Sequence, residues 1–98
     1  MYFVYVLLSD KDRQFYTGFT TNLKQRIEDH KKGRVESTKN RRPLMLIYFE
    51  AYIEKTDASK REVFLKSGSG KRYINKQLNC FLTKYNRGVE QPGSSSGS

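Results

Sequence analysis

Residues 2–20 read YFVYVLLSDKDRQFYTGFT, and this stretch decides the fold. Tyr2 to Ser9 is a run of aromatic and β-branched residues. Gln14 to Thr20 is a second one, and the polar Asp10-Lys11-Asp12-Arg13 lies between them. Two such runs joined by a short polar turn predict a β-hairpin. Alternation along the first strand puts Phe3, Tyr5 and Leu7 on one face and Tyr2, Val4 and Val6 on the other. Gly18 marks a point where the second strand must bend or be approached closely by another group.

Outward from the hairpin, Thr21 or Asn22 can cap a helix with the interior LKQRIEDHKK, which Gly33 stops. Leu23, Ile27 and His30 fall on one stripe of that helix. Arg34 to Pro43 is a basic loop, and Leu44 to Tyr52 (LMLIYFEAY) is a third strand. Thr56 or Asp57 caps a second helix running to about Lys66. Ser67-Gly68-Ser69-Gly70 breaks it, and Lys71 to about Tyr85 forms a third helix, with Cys80 expected in the core beside Leu78, Phe81 and Leu82. The order ββαβαα predicts an α/β (α+β) domain over residues 1–86, with a three-stranded, mainly antiparallel sheet and flanking helices. Residues 87–98 end in GSSSGS, the composition of a flexible tail or an expression remnant.

Composition narrows the function classes. The chain has 98 residues and a formal net charge of +9. One acidic residue, Glu90, lies in the tail, so residues 1–87 carry +10. A charge of that size on a small domain attracts phosphate backbones, so nucleic acid is the expected partner. No apolar run approaches the roughly 18 residues a bilayer requires, and no segment joins a basic face to a strong apolar face. A single cysteine, Cys80, excludes an internal disulfide framework and a cysteine-built zinc site. No secretory signal is legible at the N-terminus, and a cytoplasmic location is expected. The Ser67–Gly70 stretch lacks the Gly-Lys-Ser/Thr ending of a phosphate-binding loop, and no dinucleotide cofactor is expected.

The chemistry-bearing residues form an ordered set. Phe3-Val4-Tyr5 and Tyr16-Thr17-Gly18 sit on the two hairpin strands. Arg26 follows Tyr16 by ten residues and His30 by fourteen, and both lie on the first helix. Glu62 follows on the second helix, within Lys60-Arg61-Glu62-Val63-Phe64-Leu65-Lys66. Each residue alone reads blandly: Tyr5 and Tyr16 as strand aromatics, Arg26 and Glu62 as surface charges, His30 as a packed or capping histidine. The set in this order resembles the GIY-YIG nuclease superfamily, in particular its small stand-alone bacterial members, over residues 2 to about 82.

That resemblance implies a metal-dependent endonuclease that hydrolyses DNA phosphodiester bonds with low sequence specificity, in DNA repair or processing. It makes Tyr5 the phenol that activates or positions the attacking water, with Tyr16 bordering the same site. Arg26 would hold the scissile phosphate, Glu62 would hold Mg²⁺ or Mn²⁺, and some members keep a histidine where His30 stands. Gly18 is the structural glycine of the second motif. The sequence departs from the pattern in Phe-Val-Tyr for Gly-Ile-Tyr, in Tyr-Thr-Gly for Tyr-Ile-Gly, and in Phe19 where excision-repair members carry lysine. Either Asn75 or Asn79 would supply the asparagine that closes the site in many members.

The demands of the reaction agree with these residue types. Phosphodiester hydrolysis needs an in-line water, a cation on the phosphate and stabilisation of the leaving oxygen. Arg offers two parallel donors to phosphate oxygens, and a hard divalent ion that keeps its waters can be held by one carboxylate. A phenol is a weak base near neutral pH unless cations such as Arg26 and the metal lower its pKa. Lys31, Lys32, Arg34, Lys39, Arg41 and Arg42 are expected to contact phosphates without reading sequence, with Lys71, Arg72 and Lys76 extending the patch. DNA is the expected partner, with RNA as an alternative polyanion. The rival reading is a non-catalytic nucleic-acid-binding module of the same fold.

Overall fold

The computed structural model describes residues 1–87. β1 (Tyr2–Ser9), β2 (Phe15–Thr20) and β3 (Leu44–Tyr52) form one sheet in the order β2-β1-β3, both pairings antiparallel. α1 (Leu23–Lys31) follows the hairpin, and a 3₁₀ turn (Lys39–Arg41) lies within the basic loop. α2 (Lys55–Lys66), α3 (Gly68–Gln77) and α4 (Asn79–Asn86) close the order. The expected three-stranded α+β architecture stands, with one helix more than the sequence suggests. From residue 88 on, the expected tail lies outside the described residues. Among the described residues no helix is long and apolar enough to cross a membrane.

Being central, β1 is covered on both faces, and its alternation divides the core in two. Val4 and Val6 pack with Ala58 and Leu65 of α2 and Ile74 of α3. Tyr5 and Leu7 face the other way and pack with Leu44, Leu46, Leu23 and Ile27, so α1 covers the second side. The bury-both-faces requirement explains why β1 is an almost unbroken apolar run.

β3 carries an irregularity that its sequence does not advertise. Its register against β1 shifts between Val6 and Leu7, which pair with Tyr48 and Leu46, so Ile47 is the extra residue. A bulge of this kind reverses which residue parity faces which side. Leu44 and Leu46 therefore pack beside Tyr5, while Tyr48 and Tyr52 pack beside Val4, although all four are even-numbered.

Caps decide several boundaries. Asn22 is the N-cap of α1, its side chain accepting from the Gln25 N–H at 3.1 Å, and Gly33 ends the helix at φ 77°. α2 starts earlier than expected, at Lys55, with Glu54 as N-cap and no side-chain cap bond from Thr56 or Asp57. The break after α2 is narrower than expected: only Ser67 is non-helical, and its hydroxyl accepts from the Gly70 N–H at 3.1 Å to start α3. Gly70 is a close-packing glycine, because a Cβ there would overlap the Phe64 carbonyl and the Leu65 backbone. The expected single third helix is split at Leu78 (φ −108°, ψ 27°) into α3 and α4. That rotation makes Leu82 the buried residue of α4 and turns Cys80 outward, so Cys80 is exposed rather than part of the core.

Candidate active site

Tyr5 is the centre of the site. It is buried on the face of β1 that α1 covers, and its Cα partner on the edge strand β2 is Gly18. A Cβ at Gly18 would overlap the Tyr5 Oη and Cζ, so the glycine is what lets the phenol lie across β2. This is the close approach anticipated at that position.

Two groups from α1 meet the Tyr5 oxygen. His30 Nε2 lies 2.8 Å from it, and Arg26 Nε donates to it at 3.4 Å. Arg26 and His30 are neighbours on one face because residues four apart on a helix are. Tyr16 closes the other side: its ring meets the His30 ring edge-on, centroids 5.2 Å apart, and its hydroxyl accepts from Ser37 Oγ at 3.3 Å. His30 is fully buried, and its Nδ1 lies 2.7 Å from Oγ1 of Thr38, also fully buried. Thr38 was not legible as a site residue. A threonine in a polar loop carries no signal that it will turn inward onto a helix.

The electrostatics follow from burial. Burial pushes the Tyr5 phenol above its ordinary pKa range, against the Arg26 hydrogen bond, which pulls it down. Arg26 thus pulls the phenol pKa down as expected, but in the protein alone desolvation outweighs the cation. Burial, with the Arg26 charge second, lowers the His30 pKa to about 4, so the ring is neutral at pH 7.

Glu62 sits on α2, half-buried, with its carboxylate 3.0 Å from Lys66 Nζ. It is near enough that its charge helps to raise the Tyr5 pKa. An i,i+4 surface pair of this type is weak, about 0.3–0.5 kcal/mol, and yields readily to a divalent ion. Among the described residues no cluster of three or more His, Cys, Asp or Glu side chains exists to cage a metal. The donor set of one half-buried carboxylate thus fits a hard ion that keeps most of its waters, as Mg²⁺ does, and not a soft or fully encaged one.

Neither asparagine joins this group. Asn75 donates to the Lys71 carbonyl at 2.8 Å and lines a separate cavity of about 150 Å³ with Leu8, Arg13 and Tyr85. Asn79 is the first residue of α4. Neither hydrogen-bonds to Tyr5, Arg26 or Glu62 among the described residues.

The basic residues divide by what they already hold. Lys32, Arg34 and Lys39 make exposed pairs with Glu28 (3.0 Å), Asp29 (3.3 Å) and Glu36 (3.1 Å). Arg41 is committed to the fold: its Nε meets Asp12 Oδ2 at 2.6 Å, its Nη2 reaches the Gln14 carbonyl at 3.3 Å, and its own carbonyl accepts from Ser9 Oγ at 2.6 Å. Arg42 lies across Gly33, where a Cβ would come within 2.6 Å of its Cζ, and donates to the Lys39 carbonyl at 3.0 Å. Lys31 is exposed at the end of α1 with no ion pair among the described residues. Lys71, Arg72 and Lys76 are on α3, which packs with α2 on the sheet face opposite Tyr5.

A second polar cluster was also not legible. Glu50 of β3 meets Arg61 Nε at 2.8 Å and Nη2 at 3.0 Å and accepts from both Tyr48 and Tyr52. Arg61 also lies over the Tyr73 ring, 4.7 Å from its centroid. Adjacent in sequence to Glu62, it ties α2 to the sheet on the face away from Tyr5.

An antiparallel hairpin thus carries a tyrosine whose oxygen meets an arginine of α1, and the charge of a glutamate on α2 acts on the same phenol. The chain belongs to the GIY-YIG family: the model of the GIY-YIG catalytic domain matches residues 1–77. It is similar to a UPF0213 protein of Staphylococcus haemolyticus, 41% identical over 69 residues, covering 69% of this chain and 83% of the relative. A UPF0213 protein of Clostridium perfringens is 42% identical over 67 residues, 67% of this chain and 71% of that one. The solution structure of the UPF0213 protein BH0048 from Bacillus halodurans superposes with a TM-score of 0.50 at 32% identity, over 79% of this chain and 85% of the other.

Proposed function

We propose that this protein is a divalent-metal-dependent endonuclease that hydrolyses DNA phosphodiester bonds with little sequence preference. The observation that carries the reading is the convergence on one phenol oxygen: Tyr5 Oη lies against His30 Nε2 at 2.8 Å and the Arg26 Nε–H at 3.4 Å. A packed tyrosine hydroxyl needs one hydrogen-bond partner; this oxygen meets a guanidinium as well as an imidazole, the cation that the chemistry of a phosphate site calls for.

In this reading Arg26 uses its Nε–H to hold Tyr5 and keeps its Nη groups for the scissile phosphate, the bidentate use for which guanidinium geometry suits it. Tyr5 first gives its own proton to solvent; as the phenolate it orients the attacking water in line with the leaving oxygen and accepts the water proton as the new P–O bond forms and the old one breaks. Glu62 would hold Mg²⁺ or Mn²⁺. When bound, that ion supplies positive charge that offsets the desolvation of the Tyr5 phenol and stabilises the leaving oxygen. Lys31, Lys32, Arg34 and Lys39 bring the backbone of the nucleic acid to the site without reading its bases.

The test is incubation of the purified protein with supercoiled, linear and branched DNA, with and without Mg²⁺ or Mn²⁺. Metal-dependent nicking or cutting is expected. Tight binding without cleavage of any form would instead establish a binding module of the same fold.

A further inference from the structure

Thr38, His30 and Tyr5 form a hydrogen-bonded chain whose direction can be read from the groups at its two ends. His30 is the middle member, with Thr38 Oγ1 2.7 Å from Nδ1 and Tyr5 Oη 2.8 Å from Nε2. A neutral imidazole has one N–H and one bare nitrogen, so only two arrangements exist. In one, the Thr38 hydroxyl donates to Nδ1, and Nε2–H donates to the Tyr5 oxygen. In the other, Tyr5 donates to Nε2, and Nδ1–H donates to Thr38.

The ends differ. Thr38 is fully buried, and His30 is the one hydrogen-bond partner of its hydroxyl among the described residues. If Nδ1–H pointed at Thr38, the Thr38 hydrogen would be left in the interior with no acceptor among the described residues, which buried donors avoid. Tyr5 is enclosed too, but its oxygen is the end that faces the half-buried Arg26 and Tyr16, where a phosphate or water would arrive. A hydrogen left over at that end has an acceptor when substrate binds.

We propose that Thr38 is a positioning residue that fixes His30 as the Nε2–H tautomer, so that His30 acts as a hydrogen-bond donor to Tyr5 and not as the acceptor of its proton. This rests on the nuclease reading only for its consequence; the tautomer itself does not depend on cleavage. The Tyr5 oxygen then receives two donors, His30 Nε2–H and Arg26 Nε–H, and its own hydrogen points towards the substrate. When that hydrogen passes to solvent at the open end, both donors remain to stabilise the phenolate that takes the proton of the attacking water. His30 therefore does not carry protons between Tyr5 and Thr38. The depressed pKa of the ring, about 4, keeps it from becoming a cation that would donate at both nitrogens and make Thr38 redundant.

The chain contains a single histidine, so its imidazole nitrogens can be observed without assignment ambiguity. The experiment is the long-range ¹H–¹⁵N spectrum of uniformly labelled protein at pH 7 for wild type, Thr38→Val, Thr38→Ser and Tyr5→Phe. Wild type is expected to carry its proton on Nε2. Thr38→Val, isosteric but without a donor, is expected to move population to the Nδ1–H form, and Thr38→Ser to restore the wild-type pattern. Tyr5→Phe removes the other neighbour and is expected to keep Nε2–H, because Thr38 still donates to Nδ1. Should Thr38→Val not fold, the wild-type and Tyr5→Phe spectra decide alone. A proton on Nδ1 in wild type, or a tautomer that changes in Tyr5→Phe and not in Thr38→Val, overturns the proposal. Absence of cleavage on every DNA would sink the nuclease reading and leave these spectra interpretable.

Discussion

The backbone of Gly18 lies directly beneath the Tyr5 phenol, so close that a Cβ at residue 18 would overlap Oη and Cζ. The two residues are opposite one another in the β1–β2 register, and the missing side chain on the edge strand is the space the ring occupies. Position, burial and hydrogen bonding of the central phenol therefore depend on one absent methyl group.

Gly18→Ala should displace the Tyr5 ring from His30 and Arg26. Inserting a methyl into a packed site costs about 1–3 kcal/mol, and cleavage should fall with it. A double-mutant cycle separates this contact from loss of glycine flexibility in the strand. In a Tyr5→Ala background the alanine has room, so its cost in urea unfolding should shrink. An equal cost in both backgrounds would show that the overlap with Tyr5 is not its cause.

Much of this arrangement was legible because two signals reinforce each other. The hairpin strands alternate within aromatic and β-branched runs, and the motif residues sit on those strands at fixed offsets from Arg26 and His30. What was not legible depends on tertiary contact. Thr38 becomes a site residue only because the loop folds it onto His30. Leu78 splits the last helix through a backbone angle that no helix-breaking residue announces. Cys80 follows apolar neighbours in sequence but is rotated outward by that split. The bulge at Ile47 reverses the facing of β3 without a glycine or proline to mark it, and so hides the pairing of Glu50 with Arg61.

Buried His30 should make stability depend on pH in a defined window. Its folded pKa is lowered to about 4, against 6.5 when unfolded. The unfolded chain therefore binds a proton that the folded protein refuses, and stability falls as pH drops from about 6.5 towards 4. The full difference is about 3 kcal/mol, reached below the lower value. Urea unfolding at intervals across that range should show the loss, and the single histidine should titrate near 4 by NMR. A ring that titrates near 6.5 in the folded protein would remove the effect.

The cations should separate into those that bind phosphate and those that hold the loop. Each phosphate contact contributes about 0.9 to the slope of log K against log salt on duplex DNA. Lys31→Ala should therefore flatten that slope by about 1 and leave stability within about 0.5 kcal/mol of wild type. Arg41→Ala should do the reverse, because Arg41 joins the loop to Asp12 and to the β2 entrance. Its unfolding midpoint should drop while the salt slope stays. A flattened slope with unchanged stability in Arg41→Ala would return that residue to the phosphate surface.

Glu62→Gln keeps the side-chain size but removes the charge proposed to hold the metal. Its present partner is Lys66, an exposed residue, so the fold should tolerate the change. Cleavage should collapse while duplex affinity in the absence of metal is kept or slightly raised, since a negative charge near the phosphate is gone. Mn²⁺ binding, followed by its electron paramagnetic resonance signal in the presence of an uncleavable DNA, should weaken in parallel. Wild-type cutting by Glu62→Gln would remove the carboxylate from the metal assignment.

Tyr5→Phe discriminates most sharply between an enzyme and a binding module, and the structure changes how it must be read. The substitution deletes one oxygen and leaves the ring over Gly18, so strand packing should persist. It also strips His30 Nε2 of its partner at 2.8 Å, inside a fully buried site. An orphaned buried donor costs about 1–3 kcal/mol, so a modest loss of stability is expected whatever the function. Rates should therefore be compared well below the variant's unfolding temperature, with the folded fraction checked on the same preparation. Under the nuclease reading the lost oxygen orients and deprotonates the water, and such assistance is worth about 10² to 10⁴ in rate. Under the binding reading it is an interior hydroxyl that DNA barely meets, and affinity should change by no more than about 1 kcal/mol. A rate loss of that size at constant affinity and full folding makes Tyr5 catalytic. A rate that falls only in proportion to the unfolded fraction makes the phenol a structural partner of His30 and nothing more.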